Sequence, residues 1–423
     1  MELKRHERSP MRGAFFLPAA ILALSFSMSV DALAGGPVHG AKAAGMGTAF
    51  IGLADDPSAI LFNPGGLTQS KGTTVYGGVT AVSPSTVYTD PSGANSTRTE
   101  FQVFYPPHLY AASDFGTQDL VFGLGLYSPF GIGGRKWDPT GPTRYASVES
   151  AIATFSVNPT IAWRASSALS LAFGIDYMRS TIEMKRMVDQ SMVGAGDAAS
   201  GLEAEGDGWG HNLGALVRAG ERTGIGLAYR SAINVNYRGD MTIEGIAPAL
   251  QPLFGGASYK SAITTSNRFP DIYSLGVSYL LSTKLVLAAD AELVRWSSFK
   301  KAEVNIVQEV PAAGITDAST PLDWKDSWQF KIGGEYRMSD TLALRAGYAF
   351  INTPVPDHTL EPGNPDADQH NVSIGMGYRT GNWRIDGFYD IGIFRDRTVQ
   401  NAAVSGEFRN IAHYLGASAG RSF

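Results

Sequence analysis

From residue 73 onward, apolar residues alternate with small, polar or charged residues in repeated segments, each about ten residues long. One clear example is LSLAFGIDYM at 169–178, in which every second residue is leucine, phenylalanine, isoleucine or tyrosine. A period of two predicts β-strands, because successive side chains of a strand point to opposite faces. A soluble β-sandwich gives the same alternation with its apolar face turned inward, so the period alone leaves two architectures open.

Two further features favour a transmembrane barrel. Aromatic residues stand near the ends of the apolar face, and glycine with mixed charge fills the other face, as expected for interfacial girdles around a polar lumen. Short turns on one side also alternate with long polar connections on the other, near 131–147, 187–207, 241–262, 307–322, 354–369 and 396–406. The prediction is an all-β fold, a 14-stranded antiparallel transmembrane β-barrel. Its strands are expected near 72–83, 100–113, 118–128, 149–164, 168–185, 208–221, 223–240, 263–281, 284–306, 324–338, 341–353, 369–380, 382–396 and 407–423.

The stretch at 45–67, GMGTAFIGLADDPSAILFNPGGL, predicts a short helical plug ahead of the strands. Asp56 is suited to cap a helix over 58–62, and Pro57 suits its first turn. Pro64 disfavours a helical Asn63, so the helix should end at the corner Asn63-Pro64-Gly65. A barrel of fourteen strands needs a plug, because its bore is too wide for its own side chains to fill. The alternative is an ordinary loop and helix of a soluble domain.

The first 34 residues predict a secretory signal. Four basic residues precede an apolar run at 14–30, and Ala32-Leu33-Ala34 fits a cleavage site. A membrane-anchoring helix is the alternative, but the run is short and Pro18 interrupts it. The expected organisation is a signal peptide at 1–34, an N-terminal hatch at 35–71 and the barrel at 72–423, exported to the bacterial outer membrane.

Composition excludes several classes of function. The net charge is −5, and removing four basic and three acidic residues with the signal leaves 30 − 36 = −6, which gives no reason to expect nucleic-acid binding. Without cysteine or an H-E-x-x-H spacing we expect no metal site, and we expect no cofactor. The residues at 416–420 match G-x-S-x-G, but a nucleophile elbow needs a following helix and only three residues remain, so no enzyme is predicted.

Several stretches in this order resemble the FadL/TodX family of outer-membrane transporters of long-chain fatty acids and other hydrophobic compounds. They include the stretch at 45–67, PPHLYAA at 106–112, LAYRSAINVNYRGD at 227–240, RWSSF at 295–299, WKDSW at 324–328, TPVPD at 353–357 and PDADQ at 365–369. The resemblance implies a barrel of fourteen strands with an N-terminal hatch. It also implies a ligand that leaves sideways through an opening at a kink in the third strand.

The resemblance also implies gate and ligand residues. Asn63, Pro64 and Gly65 match the hatch corner, with glycine in place of the family's alanine, and Pro129 lies in the kink at 127–131. Proline suits such a place because it cannot donate a ladder bond. The alternative is that Pro129 simply ends the strand at an external loop. The family's basic residue follows an Ile-Glu pair directly, whereas here Met184 intervenes, which leaves the head-group contact open. The candidate ligand-binding residues are Phe130, Gly131, Trp137, Tyr145, Lys185 and Arg186.

Eleven inward-facing charges have two interpretations: ion-pair networks that fasten the plug, or part of a ligand path. They are Asp176, Arg230, Asp290, Glu292, Lys331, Glu335, Arg337, Arg345, Arg384, Asp386 and Asp390. The loop residues Ile246, Leu250, Leu253 and Phe254 could capture ligand or simply pack their loop.

The predicted function is passive uptake of hydrophobic molecules, with long-chain fatty acids first and aromatic hydrocarbons as the alternative. A lipid hydrolase and a general porin are the other classes considered. Expected partners are a hydrophobic small molecule, outer-membrane lipid, and the barrel assembly machinery through the strand that ends at Phe423.

Overall fold

The computed structural model describes residues 38–423, so the predicted signal peptide lies outside the described residues. Fourteen antiparallel strands form the wall, and six of them are interrupted once. Their bounds are β1 Thr73–Thr89, β2 Pro107–Ser113, β3 Leu120–Tyr127 and Ile132–Lys136, β4 Glu149–Arg164, β5 Leu169–Val188, β6 Ala198–Ala219, β7 Thr223–Arg230 and Ile233–Glu244, β8 Ser258–Phe269 and Ile272–Ser282, β9 Leu285–Val294 and Lys301–Ile306, β10 Ala318–Pro321 and Ser327–Arg337, β11 Leu342–Ile351, β12 Gln369–Thr380, β13 Trp383–Phe394 and Arg397–Gln400, and β14 Ser405–Ser422.

The sheet closes on itself. β14 pairs with β1 in an unbroken antiparallel register from Thr74 opposite Ser422 to Thr89 opposite Glu407. A short additional strand, Ser96–Arg98, extends the outer end of β1. The predicted 14-stranded antiparallel barrel is therefore confirmed.

The apolar face of the central wall points outward. On β10, Trp328, Phe330 and Ile332 are 45%, 50% and 59% exposed, whereas the alternate residues Gln329 and Lys331 are buried in the interior. A soluble sandwich would bury the first set and expose the second. The observed exposure is that of a wall that faces lipid with its apolar side.

The apolar side changes from the outer to the inner face where the strands rise beyond the membrane. On β6, Leu202 is buried inside while its neighbour Glu203 is exposed, and on β7 Met241 is buried while Arg238 is exposed. The upper part of the barrel thus encloses an apolar core, the upper core, as a water-soluble barrel does. Because of this change, the predicted start of the sixth strand near 208 was wrong; β6 begins at Ala198.

A small N-terminal segment lies inside the wall. It contains helix α1 (Ala41–Ala44), helix α2 (Ala59–Phe62) and a 3-10 helix, Pro64–Gln69, and we call residues 38–71 the hatch. None of the helices among residues 38–423 is long and apolar enough to cross a bilayer. The remaining helices are single turns in the long connections and between wall segments: Ser191–Val193, α3 (Gln251–Phe254), Trp296–Ser298, Pro311–Ala313 and Asp357–Thr359.

Candidate functional site: the hatch and the kinked third strand

The hatch helix forms close to where the sequence predicts it. An oxygen of Asp56 accepts a hydrogen bond from the backbone N of Ser58 at 2.9 Å, and α2 follows over Ala59–Phe62. Asn63 then leaves the helical region with φ −151° and ψ 97°, since Pro64 follows it. The proline corner therefore ends the helix as predicted, but the helix begins at Ala59 with Ser58 at the N-cap position and no side-chain cap, so Asp56 holds the preceding turn instead of capping α2.

The side chain of Asn63 fixes the corner of the hatch to the wall. Its amide nitrogen donates to the carbonyl oxygens of Ile51 and Ala215, both at 3.0 Å, and its oxygen accepts from Gly65 N at 3.1 Å. Ala215 belongs to β6, so one buried side chain ties two parts of the hatch to the barrel. A carboxylate could not make the two donor bonds, which explains why an amide suits this position.

Glycines on the inner wall allow the hatch backbone to approach closely. A Cβ on Gly214 would lie 2.5 Å from the Asn63 oxygen and 2.6 Å from Gly65 N, and a Cβ on Gly375 would lie 2.9 Å from Gly45 Cα. Contacts this short exclude any side chain larger than hydrogen. The same holds for Gly226, Gly276, Gly333 and Gly347.

Polar wall side chains hold the hatch backbone directly. One oxygen of Asp290 accepts from Phe50 N at 2.6 Å and from Ile51 N at 2.9 Å. The hydroxyl of Ser278 donates to Gly52 O at 2.7 Å. β8 and β9 therefore satisfy backbone groups that would otherwise be buried without partners.

An ion-pair network links the hatch to the lower wall. Lys42 of α1 contacts Asp55 at 2.6 Å and lies 3.7 Å from Glu335 of β10. Glu335 also receives Arg345 of β11 at 2.8 Å, and Arg345 reaches Asp386 of β13 at 2.8 Å. The interpretation of these inward charges as fasteners of the plug matches this arrangement.

The network continues into the hatch at Asp56. Arg384 lies 2.6 Å from Asp386 and 3.3 Å from Asp56, which are on the wall and the hatch respectively. Burial raises the pKa of Asp56 despite Arg384, whereas Lys42 and Arg384 outweigh burial at Asp55 and lower the pKa of that carboxyl. Two neighbouring hatch carboxyls thus have opposite shifts, because only Asp55 has a lysine in direct contact.

Below this network, on the side of the short turns, a charged cavity of about 480 Å³ opens; we call it the vestibule. Leu342 and Ala343 are the two residues with apolar side chains among those that line it. Eight charged residues line it, five basic and three acidic: Lys284, Arg337, Arg345, Arg379 and Arg384, with Glu335, Asp340 and Asp386.

The third strand is interrupted at Pro129, as predicted. Tyr127 pairs with Ser156 and Ile132 with Ala153, so the four residues 128–131 stand opposite only two, Thr154 and Phe155. Gly131 adopts a positive φ of 80° at this point, a conformation that favours glycine. The extra residues form a bulge that bends β3 away from a regular ladder.

The bulge coincides with a break in the ladder between β2 and β3. Their registered pairs run from Ser113 opposite Phe122 to Leu109 opposite Leu126. Farther up, the described residues include a bond from Glu100 N to Lys136 O, at 2.8 Å. Over the interval between these points the wall is not closed by a regular ladder.

Inside the kink, the hatch meets β3 by apolar packing. Ile60 lies against Gly123 and Gly125, where a Cβ would approach it to 2.9 Å. Phe62 and Pro64 of the hatch share a cavity of about 50 Å³ with Pro129 and Phe130. The predicted gate residues Pro64 and Pro129 therefore line one space.

The predicted ligand residues are not all brought together. Phe130 is buried against Phe269 with ring centroids 4.5 Å apart, and Trp137 is buried with its indole N donating to Pro362 O at 3.0 Å. Both belong to the upper core. Tyr145, by contrast, is 38% exposed and donates to Asp197 at 3.0 Å on the surface.

The two candidate head-group cations point to different sides of the wall. Lys185 is exposed and paired with Glu149 at 3.1 Å and with Glu183. Arg186 lines a small cavity of about 30 Å³ together with Lys185, Met184 and Leu202. Arg186 thus shares the inner face of β5 with Met178 and Ile182, whereas Lys185 is exposed and held by two carboxylates.

The second apolar loop divides in the same way. Ile246 is buried in the upper core, with Leu250 and Phe254 packed against it, whereas Leu253 is 37% exposed. Most of this loop therefore packs inward, which agrees with the interpretation that these residues pack their own loop and do not capture ligand.

The serine of the G-x-S-x-G match lies in mid-strand. Ser418 sits on β14, where it hydrogen bonds to His108 at 2.9 Å and accepts from Ala41 N at 3.0 Å. No turn from strand to helix surrounds it. Within residues 38–423 no group of three or more His, Asp or Glu side chains could hold a metal ion.

Comparison with known proteins adds the decisive observation. The model of a family described as outer membrane protein transport protein (OMPP1/FadL/TodX) matches residues 25–423. The chain belongs to this family. Its members are outer-membrane transporters of hydrophobic compounds, not enzymes, and the chain is accordingly an outer-membrane transport protein. The resemblance inferred from the sequence is thereby confirmed.

Individual members of the FadL/TodX family are similar over most of their length. A putative outer membrane protein of Neisseria meningitidis is 25% identical over 409 residues, covering 87% of this chain and 86% of the relative. A long-chain fatty acid transport protein of Escherichia coli is 23% identical over 376 residues, covering 80% of this chain and 81% of the relative.

Two solved structures of the family share the fold. A FadL homologue of Pseudomonas aeruginosa superposes with a TM-score of 0.81 at 19% identity, covering 92% of this chain and 99% of the other. The toluene transporter TodX of Pseudomonas putida gives 0.77 at 19% identity, with the same coverage. At these identities the likeness supports the architecture alone.

Proposed function

We propose that this transporter takes up long-chain fatty acids passively and releases them sideways, through the opening between β2 and β3. The observation that carries the proposal is the bulge at 128–131, which lies beside the interrupted ladder and shares a cavity with Phe62 and Pro64 of the hatch. Ligand would be captured by the upper core, descend to Phe130 and leave past Pro129.

The charged vestibule makes a straight route to the periplasm unfavourable for such a ligand. An alkyl chain that passes the hatch would enter a space lined by eight charged side chains, among them Glu335, Arg345 and Asp386. It would gain little from burial there and would disturb paired charges, at a cost of several kcal/mol. The route through the wall instead leads from an apolar core to lipid.

Apolar contact should dominate the affinity. At about 0.8 kcal/mol per buried CH₂, a tail of about sixteen carbons has a gross burial term near 11–12 kcal/mol, part of which is offset by ordering. A hydrogen bond to a charged head group adds about 1.5–3 kcal/mol. Because Arg186 is on the inner face of β5 and Lys185 is exposed and paired with Glu149 and Glu183, we assign the head-group contact to Arg186.

The cavities require the upper core to adapt when ligand enters. The spaces beside Phe130 and Arg186 measure about 50 and 30 Å³, enough for a few water molecules at most. A long-chain ligand would therefore have to displace side chains of the upper core. Single-rotamer movements of Phe130 against Phe269 are one such adjustment, and the cost would reduce the net affinity.

Deleting residues 129–130 tests the lateral route. The deletion leaves two residues opposite Thr154 and Phe155, so β3 can pair regularly with β4. We expect cells that produce the variant to lose uptake of labelled long-chain fatty acid while the protein remains a heat-modifiable, folded barrel. Unchanged uptake would refute the lateral exit.

A matched deletion provides the control. Removing Ser92 and Gly93 shortens an exposed turn outside the wall by the same number of residues and should leave uptake unchanged. Parallel assays with toluene separate the two ligand classes. Toluene uptake without fatty-acid uptake would contradict the proposed cargo but leave the route intact, whereas steady ion conductance in planar bilayers would favour a porin.

A further inference from the structure

Around the ring of Tyr127, just before the kink, lie polar side chains that have no hydrogen-bond partner in the described protein. They are both ring nitrogens of His39, the hydroxyl of Tyr110, and the hydroxyls of Ser128 and Ser156. All four residues are almost completely buried, at 2% exposure or less. Unpaired buried groups cost about 1–3 kcal/mol each, so such a concentration needs an explanation.

The four residues are neighbours in space although they come from four segments. The His39 ring meets the Tyr127 ring edge-on with centroids 6.1 Å apart, and the Tyr110 ring stacks on Tyr127 at 5.9 Å. Ser128 follows Tyr127 in the chain, and Ser156 is its cross-strand partner on β4. The hatch, β2, β3 and β4 therefore all present hydrogen-bonding groups at the inner side of the kink.

The charges near these groups are already compensated. Arg230 forms a buried ion pair with Asp176, and the hydroxyl of Tyr127 donates to the same carboxylate at 3.0 Å. Burial, together with His108 and Arg230, lowers the pKa of His39 to about 3, so its imidazole is neutral at pH 7. A neutral imidazole offers one donor and one acceptor, and each hydroxyl offers both.

We infer that the inner side of the kink binds the uncharged polar end of an amphiphilic ligand, a hydroxyl, carbonyl or protonated carboxyl group, through His39 and Tyr110. This inference rests on the proposed lateral route and narrows its substrate class. Ligands with one such oxygen would be held at the kink before they enter lipid, whereas pure hydrocarbons would pass without this contact.

The position of the group explains why neutrality matters. A carboxylate held here would enter the bilayer charged, which is costly, whereas an uncharged oxygen can leave its hydrogen bonds for lipid at a much smaller cost. Donors and acceptors without net charge therefore suit the last polar contact before a lateral exit. Arg186, beside the upper core, would meet the charged form earlier on the path.

The variant Tyr110→Phe tests this site with little risk to the fold. It removes a hydroxyl that has no partner and keeps the ring that stacks on Tyr127. We expect uptake of labelled 1-dodecanol to fall by roughly 2- to 10-fold, the effect of one hydrogen bond, with dodecane uptake unchanged. The control Tyr348→Phe removes a lipid-facing hydroxyl bonded to His370 and should change neither.

The outcomes separate this inference from the route itself. Equal losses of alcohol and alkane, or no loss of alcohol, would overturn the polar site, even if deletion of 129–130 still abolishes both. A crystal structure with 1-dodecanol provides a direct check. Its oxygen within hydrogen-bonding distance of Tyr110 or His39 would support the inference, and water alone at these atoms would overturn it.

Discussion

Two hydrogen bonds from the hatch to Asp290 help to hold the hatch against the barrel wall. Asp290 accepts from Phe50 N and Ile51 N, and both hatch residues are at most 1% exposed. Replacing Asp290 with alanine leaves both backbone groups buried without an acceptor. Asparagine retains one neutral acceptor oxygen and should have a smaller effect.

The expected magnitude follows from these two groups. An unsatisfied buried N–H costs about 1–3 kcal/mol, so the Asp290→Ala variant should weaken the closed hatch by about 2–6 kcal/mol. With about 1.4 kcal/mol per factor of ten, the equilibrium constant for hatch opening should rise by roughly 30-fold to 10⁴-fold. The alanine variant also removes the desolvation cost of a buried carboxylate, so the net effect should lie toward the lower end of this range.

Single-channel recording in planar bilayers measures the effect directly. Wild-type protein should be almost silent, because the hatch fills the bore. We expect brief openings for Asp290→Asn and frequent ones for Asp290→Ala, while both variants remain heat-modifiable barrels.

Asp390→Ala is the matched control. This inward carboxylate accepts from Asn371 at 2.6 Å and from Ser373, both of which belong to the wall. Its loss should therefore leave conductance silent. Equal conductance for the two alanine variants, or silence for both, would refute the view that Asp290 holds the plug.

Three further predictions concern other parts of the molecule. Lys185→Ala should change the free energy of unfolding by less than about 1 kcal/mol, because the ion pairs of Lys185 are exposed. Fatty-acid uptake should also be unchanged, and a loss of uptake would show that Lys185 contacts the ligand. Burial raises the pKa of the Asp366 carboxyl from 3.8 to about 6, so the packed loop at 354–368 binds the carboxyl proton more tightly than the unfolded loop does. The loop should therefore lose stability as the pH rises from 3.8 to about 6. Hydrogen exchange of that loop, corrected for intrinsic rates, should be faster at pH 7 than at pH 5, and Asp366→Asn should abolish the difference; an unchanged difference would contradict the assignment. Deleting Phe423 should reduce the amount of assembled barrel in the outer membrane without changing uptake per folded molecule, and normal assembly would show that the C-terminal residue is dispensable.

The sequence predicts the central wall well because the wall is repetitive. On segments such as Trp328–Tyr336 the side chains alternate between lipid and lumen, so a local pattern reports a global arrangement. The kink was expected from the family resemblance, and Pro129 is compatible with it because proline cannot donate a ladder bond. The number of strands follows from residues close together in the chain, whereas the position of the kink came from the resemblance.

The upper wall and the polar contacts of the hatch could not be predicted in this way. Above the membrane the apolar residues face inward, as Leu202 does, and the polar residues face outward, as Glu203 does. Alternation with a period of two does not indicate which of the two faces points inward. The bonds from Asp290 to Phe50 span 240 positions in the chain. The unpaired atoms of His39 and Tyr110 likewise appear only when four distant segments meet.

The wall glycines that admit the hatch also constrain the order of assembly. The hatch is synthesised before the strands, yet its backbone fits closely against wall glycines such as Gly214, Gly333, Gly347 and Gly375, which belong to strands made later. It therefore cannot take up its final place until those strands have joined into a ring. Docking of the hatch would then follow closure of the ring, and the bore would remain unsealed until it occurs.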